Sequence, residues 1–387
     1  MKHLLSFLLL LIPFLAVAND GVYYVDGNHL IPITETDISV RKEVLTITRV
    51  GDQFQVDVYY EFFNPSTAKD LLVGFEAVDP YPCYDPTIYE KALPNHPFVF
   101  EFTVEMNSRH LDYEVAHVGY FKPGDWKERT GLPEYYHNGN FQTIDVRKHL
   151  DALRDSEYYM CAGIYYVYHF QAHFQPGLNI IHHTYRYQAS VVAGFNYYLP
   201  YVLTAANRWA NHQIDDFTLV IDMGDRQSFY IQPYFFDSLS EWQIQGAGRM
   251  NNRPLWGSND QASAMFHIRQ GKVVFHKANF HPQGELNLYC PALNYQYYDY
   301  SVDEVLDACR QGYFQSWDLT LKKAPFTPDQ RRILRNLPFA RRGYCFKNKA
   351  LQTYFESTDW YLSDTSYTPD LDVLTPDERS WIQFWSE

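Results

Sequence analysis

The stretch GIYYVYHFQAHFQPG, residues 163–177, constrains the fold more than any other. Ile164, Tyr166, Tyr168, Phe170, Ala172 and Phe174 point one way, and Tyr165, Val167, His169, Gln171, His173 and Gln175 point the other. Period-2 alternation of this length is the mark of a strand with one face in a core. Phe54, Val56, Val58, Tyr60 and Phe62 repeat the pattern in QFQVDVYYEFF. FVFEFTVEMNSRHLDYEV reads as a hairpin turning at Asn107-Ser108, and FTLVIDMGD and GKVVFHKANF are further strands. Helical signals before Cys290 are confined to TIDVRKHLDALRDSEYY and YVLTAANRW. The 33 tyrosines suit this picture, because the ring packs while the hydroxyl reaches water.

The pattern changes after Cys290. SVDEVLDACRQG opens with a capping box, Ser301 with Glu304. FTPDQRRILRNL has Thr327 as N-cap, Pro328 in the first turn and Gln330 as box partner. Asn348 caps KALQTYFES, and Thr375, Pro376 and Glu378 repeat the box. The expected fold is mainly β, sandwich-like with one or two packed β-subdomains, carrying a small all-α C-terminal module. Boundaries are expected at 19–295 for the β-rich part, 296–326 for a linker with a short helix, and 327–387 for the module.

The chain begins MKHLLSFLLLLIPFLAVA. A basic Lys2, an apolar run broken by Pro13, and small residues at Ala16 and Ala18 predict a signal peptide, residues 1–18, cleaved before Asn19. The protein is then exported, to the periplasm or cell exterior, with no transmembrane segment in the mature chain. The net charge of −14 becomes −15 once Lys2 is removed, which argues against nucleic acid as a partner. Five cysteines leave at least one thiol unpaired. Cys290 and Cys309 are near enough for a bridge that would contribute ~3 kcal/mol.

With these residues set out, ILRNLPFARRGYCFKNKALQTYFESTDWY resembles the YARHG domain. Leu334, Arg335, Asn336, Phe339, Ala340, Arg341, Gly343, Tyr344, Phe346, Leu351, Tyr354, Phe355, Trp360 and Tyr361 carry the resemblance. Phe339 stands where the motif has tyrosine and Arg342 where it has histidine, so a role resting on that histidine has no basis here. The resemblance implies a place at the bacterial envelope. A second likeness, to the DUF4424 family of exported bacterial β-rich proteins, rests on Tyr198, Tyr201, Leu203, Thr204, Trp209, Asp216, Phe217 and Leu219. It implies architecture and setting, not activity.

Catalytic motifs are mostly absent: no G-x-S-x-G, H-E-x-x-H or phosphate-binding glycine loop occurs. The reading is an envelope protein of non-catalytic binding or structural type, with the YARHG-like module as the candidate unit for contact with a cell-wall or envelope polymer or an envelope protein, and with no cofactor. The alternative is an envelope hydrolase using dispersed carboxylates and histidines. Candidate binding residues are Arg341, Arg342, Tyr344, Trp360 and Tyr361. Of these, Arg341 is expected to lock the module internally, on Asp359 or on carbonyls ending its first helix, and Arg342 to be exposed. Gly343 is expected at a positive φ or a close approach. His169, His173 and His182 form a candidate metal set, provided that Pro176-Gly177 closes a two-residue hairpin that brings His182 opposite Gln171.

Overall fold

The computed structural model describes residues 30–32, 36–77, 87–120, 136–137, 140–154, 164–188, 190–192, 195–254, 263–291, 302–311 and 326–386. The predicted signal peptide, Cys83 and Cys161 lie outside them. No helix among the described residues is long and apolar enough to cross a membrane.

The chain opens with β1 (Leu30–Pro32), β2 (Ser39–Val50), β3 (Gln53–Asn64) and β4 (Lys69–Ala77). Helix α1 (Thr87–Ala92) leads to β5 (Val99–Met106), β6 (Arg109–His110) and β7 (Glu114–Tyr120). A small hairpin, β8 (Tyr136–His137) with β9 (Asn140–Phe141), precedes α2 (Val146–Leu153). Next come β10 (Ile164–Phe174), β11 (Gly177–Gln188), β12 (Ser190–Val192), β13 (Phe195–Tyr201), β14 (Ile214–Asp222) and β15 (Gln227–Ile231). The β region ends with β16 (Trp242–Arg253), β17 (Ser263–Phe280) and β18 (Leu286–Pro291). Four helices close the chain: α3 (Val302–Gln311), α4 (Pro328–Ala340), α5 (Lys349–Glu356) and α6 (Pro376–Phe384). The expected mainly-β fold with a small helical module is what forms.

A four-stranded sheet, β1-β4-β10-β7, packs on a twelve-stranded one, β12-β13-β18-β15-β17-β14-β2-β3-β11-β5-β6, in which β16 also pairs with β17. All pairings in these two sheets are antiparallel except β14 with β2. The alternating residues of β3 and β10 are buried as predicted. Phe75 of the small sheet meets Phe102 and Tyr185 of the large one at 5.3 and 4.8 Å between ring centroids. Each such buried side chain contributes about 1.5–3 kcal/mol of burial free energy. Glu43 lies in this core; burial pushes its carboxyl well up, against a hydrogen bond with Tyr60. The hairpin at Asn107-Ser108 forms with φ of 50° and 64°, the primed two-residue turn that matches strand twist. YVLTAANRW supplies a short 3-10 helix, Thr204–Arg208, rather than an α-helix.

One expectation is overturned. β10 and β11 do not pair: β10 joins β4 and β7, while β11 joins β3 and β5. Residues 175–176 therefore turn a corner between the sheets, beside the matching turn from β3 to β4. Two buried asparagines satisfy the backbone there. Asn64 Nδ2 donates to the carbonyls of Thr67 (2.9 Å) and Phe174 (3.2 Å). Asn179 accepts from Gln175 N at 2.9 Å and donates to Gln175 O at 2.8 Å. Buried peptide groups left without partners cost free energy, so these amides make the corner tenable.

β17 carries a second device. Ala264, Phe266 and Ile268 face the main core, and so do Val273 and Phe275. Keeping one face across that parity change requires an extra residue. Arg269 is that residue, a bulge facing the step from Ala247 to Gly248; beyond it Gly271 at φ 101° pairs with Gly246 at φ 139°. The other face of the β17 N-terminal half and of β13, β15 and β18 is then free to receive the helices. Tyr198, Tyr230, Met265 and Tyr289 form one buried cluster with Val305, Cys309, Leu334, Leu337, Phe355 and Trp381.

Candidate functional site

The helical module is built as its caps predict. Thr327 with Gln330, and Thr375 with Glu378, form complete capping boxes, and Asn348 accepts from Leu351 N. α3 belongs to the same packing, with Val305 and Cys309 in the shared core. Trp360 Nε1 donates to Cys309 O at 2.7 Å, and Tyr354 Oη to Leu306 O at 3.4 Å. Cys290 and Cys309 are both buried and free; no bridge joins them.

Arg342, expected to be exposed, is the arginine that locks the module internally. Arg342 is buried and pairs through both terminal nitrogens with Glu378, at 2.8 and 2.7 Å. It also donates to Pro338 O near the end of α4 and to Val373 O. Burial pulls the Glu378 carboxyl up; the Arg342 hydrogen bonds, the Thr375 backbone, and the charges of Arg342 and Arg226 reverse this and leave it below its ordinary value. Arg341 instead crosses to the sheet and donates to Arg226 O. Asp359, the expected partner of Arg341, faces Arg253 of β16. Gly343 takes φ 89° as expected, and a Cβ there would stand 2.7 Å from Leu362 O and 2.8 Å from Arg269 Nη1. Arg269 reaches Asp364 at 3.2 Å and Leu362 O at 3.3 Å.

The proposed ligand grip is thus largely spent on structure. Tyr361 is buried and its hydroxyl donates to Tyr344 O at 2.8 Å. Trp360 is half-buried against α3, and Arg342 is enclosed. Tyr344 is half-buried, its ring 4.8 Å from that of Phe346.

The three histidines do not come together, because the hairpin they require is the corner described above. His169 lies against Phe141 at 4.5 Å between centroids, and burial lowers its basicity. His173 Nδ1 is 2.6 Å from Asp70. His182 Nε2 is 3.0 Å from Asp57, on the outer face of the large sheet. Among the described residues no group of three or more His, Cys, Asp or Glu is placed to hold a metal ion.

Two concave features stand out among the described residues. The first is an open groove of about 360 Å³ on the outer face of β3, β11 and β5, lined by Asp57, Tyr59, Glu105, Asn107, Ser108, Ile180 and His182. Its register is fixed: Tyr59, His182 and Glu105 lie in one row across three strands. Asn107 is held by Ile180 N (2.8 Å) and Asn179 (3.1 Å), so the lip is rigid. Sequence reading found His182 but missed Asp57 and Glu105; period-2 alternation places them on the same outer face as Tyr59 and His182, but only the strand order makes them neighbours. The second is a small cavity, about 30 Å³, in the seam between β15–β17 and the module. Arg226, Arg269, Arg341, His267, Ser228, Cys309 and Trp360 are among its lining.

Residues 307–387 match the YARHG domain. The match takes in the C-terminal half of α3 with the three helices after it, so the YARHG domain is the module that covers the sheet. No curated protein matches the chain. Among solved structures, a candidate nutrient binding protein from Legionella pneumophila aligns at 14% identity over 93% of this chain and 97% of its own, with TM-score 0.47.

Proposed function

We propose that this chain is an exported, non-catalytic binding protein of the bacterial envelope, and that its ligand lies in the outer groove of β3, β11 and β5 rather than on the YARHG domain. The observation that carries this is the placement of Asp57, Glu105, His182 and Tyr59 around one open concavity, while Arg342, Tyr361 and Trp360 are engaged inside the protein. A groove of this volume falls within the usual range for small-ligand sites, about 300–1,000 Å³. Its chemistry selects the ligand class. Two carboxylates accept hydrogen bonds from hydroxyls and attract amines, and a tyrosine ring offers a face for a sugar or a cation. The overall negative charge disfavours phosphate-rich polymers. The expected ligand is an envelope polymer bearing hydroxyls and amines, an amino-sugar or peptide strand. The YARHG domain in this reading is the cover of the sheet's other end.

The test is retention of purified mature protein on isolated cell-wall fractions, with product analysis of the same incubation. The parent is expected to be retained without releasing soluble fragments. Asp57→Asn with Glu105→Gln is expected to lose most retention at unchanged melting temperature. Fragment release that this double variant abolishes would replace binding with hydrolysis. Retention that survives the double variant but fails on Tyr344→Ala would return the site to the YARHG domain.

A further inference from the structure

We infer that the outer edge of β16 is a docking edge for an extended segment of another protein, which adds to the large sheet as one more strand. The registers place this edge. Phe275 of β17 pairs with Leu219 of β14 on one side and with Trp242 of β16 on the other. Phe266 pairs in the same way with Phe229 of β15 and Met250 of β16. β17 is therefore filled on both sides, and β16 pairs with β17 alone among the described residues. Gln243, Gln245, Gly246, Arg249 and Asn252 are exposed along its length. A strand paired on one side offers a row of backbone N–H and C=O groups to a newcomer. The large sheet ends elsewhere in β12 and β6, of three and two residues, whereas β16 runs for twelve. Edges are commonly guarded by shortness, proline or lysine, and β16 has none of these.

The two faces of β16 state what the newcomer carries. Trp242 lies in the main core, and Ile244 and Met250 pack half-buried against it. The alternate residues Gln243, Gln245, Ala247 and Arg249 face the other way, beside Lys272 of β17, which pairs with Gln245. The strand holds two arginines and no acid; Asp359 engages Arg253, and Arg249 stays exposed. Glu241, the acid just before β16, is engaged by Lys277 at 2.7 Å. The fitting segment alternates apolar residues, which extend the cover over Ile244 and Met250, with acidic ones, which meet Arg249. Main-chain hydrogen bonds supply the affinity and the alternate side chains the selectivity. A second copy of this chain fits less well. Its β16 brings the same arginines without an acid, and each chain carries a net charge of −14. The edge is also apart from the groove of β3, β11 and β5, because β17, β14 and β2 stand between them.

The experiment uses the full mature chain and a capped synthetic peptide that alternates valine with glutamate or threonine. A control peptide has lysine in place of glutamate. Amide hydrogen exchange of the protein is followed by mass spectrometry as each peptide is added. In the free protein, part of the β16 amides should exchange fast, because alternate N–H groups of an edge strand face water. The glutamate peptide is expected to slow them saturably, with the change confined to residues 242–253, and the lysine peptide to act more weakly. Arg249→Glu, at an exposed position, should keep the parent's Tm, weaken the glutamate peptide about tenfold and reverse the preference toward lysine. A purely structural role for Arg249 would not reverse that preference. Free protein in which every β16 amide is already protected would overturn the edge. So would exchange over 242–253 that the glutamate peptide leaves unchanged, or a preference for glutamate that survives Arg249→Glu. Size-exclusion chromatography of the free chain separates the remaining case: a dimer with β16 protected makes the occupant a second copy and overturns the partner named here.

Discussion

The outer face of the large sheet behaves in two ways. Over β13, β18, β15 and the start of β17 it is dry, and presents Tyr198, Tyr230, Met265 and Tyr289 to the YARHG domain. Over β3, β11 and β5 it is open to water, and presents Asp57, Tyr59, Thr103, Glu105, His182 and Thr184. The backbone pairing is of one kind in both halves. The side chains at alternate positions decide the difference, since polar residues hold water and large apolar ones reward a cover. The lesson is that the helical module is a second layer of this sandwich, although alone it would have a marginal core.

The comparison breaks most sharply on deletion. A chain lacking residues 302–387 should expose the four apolar side chains of the covered half and aggregate, as read by size-exclusion chromatography. If it stays monomeric, the cover is dispensable. Next in size is Arg342→Ala, which leaves Glu378 buried and unpaired and should cost ~3–5 kcal/mol in a urea melt. Replacing both partners with apolar residues should restore most of that loss. Met265→Ala, under the module, should cost ~2–5 kcal/mol.

Acid should separate the two regions further. The folded Glu378 carboxyl titrates below its unfolded value of about 4.3. Its stabilisation is therefore complete above that value and is lost as the pH falls through the lower folded value. Glu43 in the main core is shifted upward, so its burial is tolerated best at low pH and opposes folding as pH rises. Urea midpoints measured across the carboxylate range should fall in acid for the parent, and less for Glu378→Gln. The smallest effect belongs to the bare half: Thr46→Ala, half-exposed on β2, should stay within ~0.5 kcal/mol.

Local signals carried far in the sequence. The alternation of β3 and β10, the turn at Asn107-Ser108, the caps at Thr327, Asn348 and Thr375, and the positive φ at Gly343 are all nearest-neighbour physics. The sites were less legible. Pro176-Gly177 signals a turn, and nothing local distinguishes a hairpin from a corner; Asn64 and Asn179, which make it a corner, are 115 residues apart. Arg341 and Arg342 could not be ranked from the motif either. The deciding partner of Arg342 is Glu378, already accounted for as a capping residue, and it does both jobs at once.

What the sequence determined by itself is the set of elements and which face of each is apolar, because strand and helix periods are fixed by the backbone and repeat within a few residues. Tertiary structure alone decided which strands became neighbours and which half of the large sheet received a cover. It also decided which of two adjacent arginines was enclosed. Those outcomes depend on contacts between residues tens to hundreds of positions apart, set by strand order and by bulges such as that at Arg269, and no local pattern encodes them.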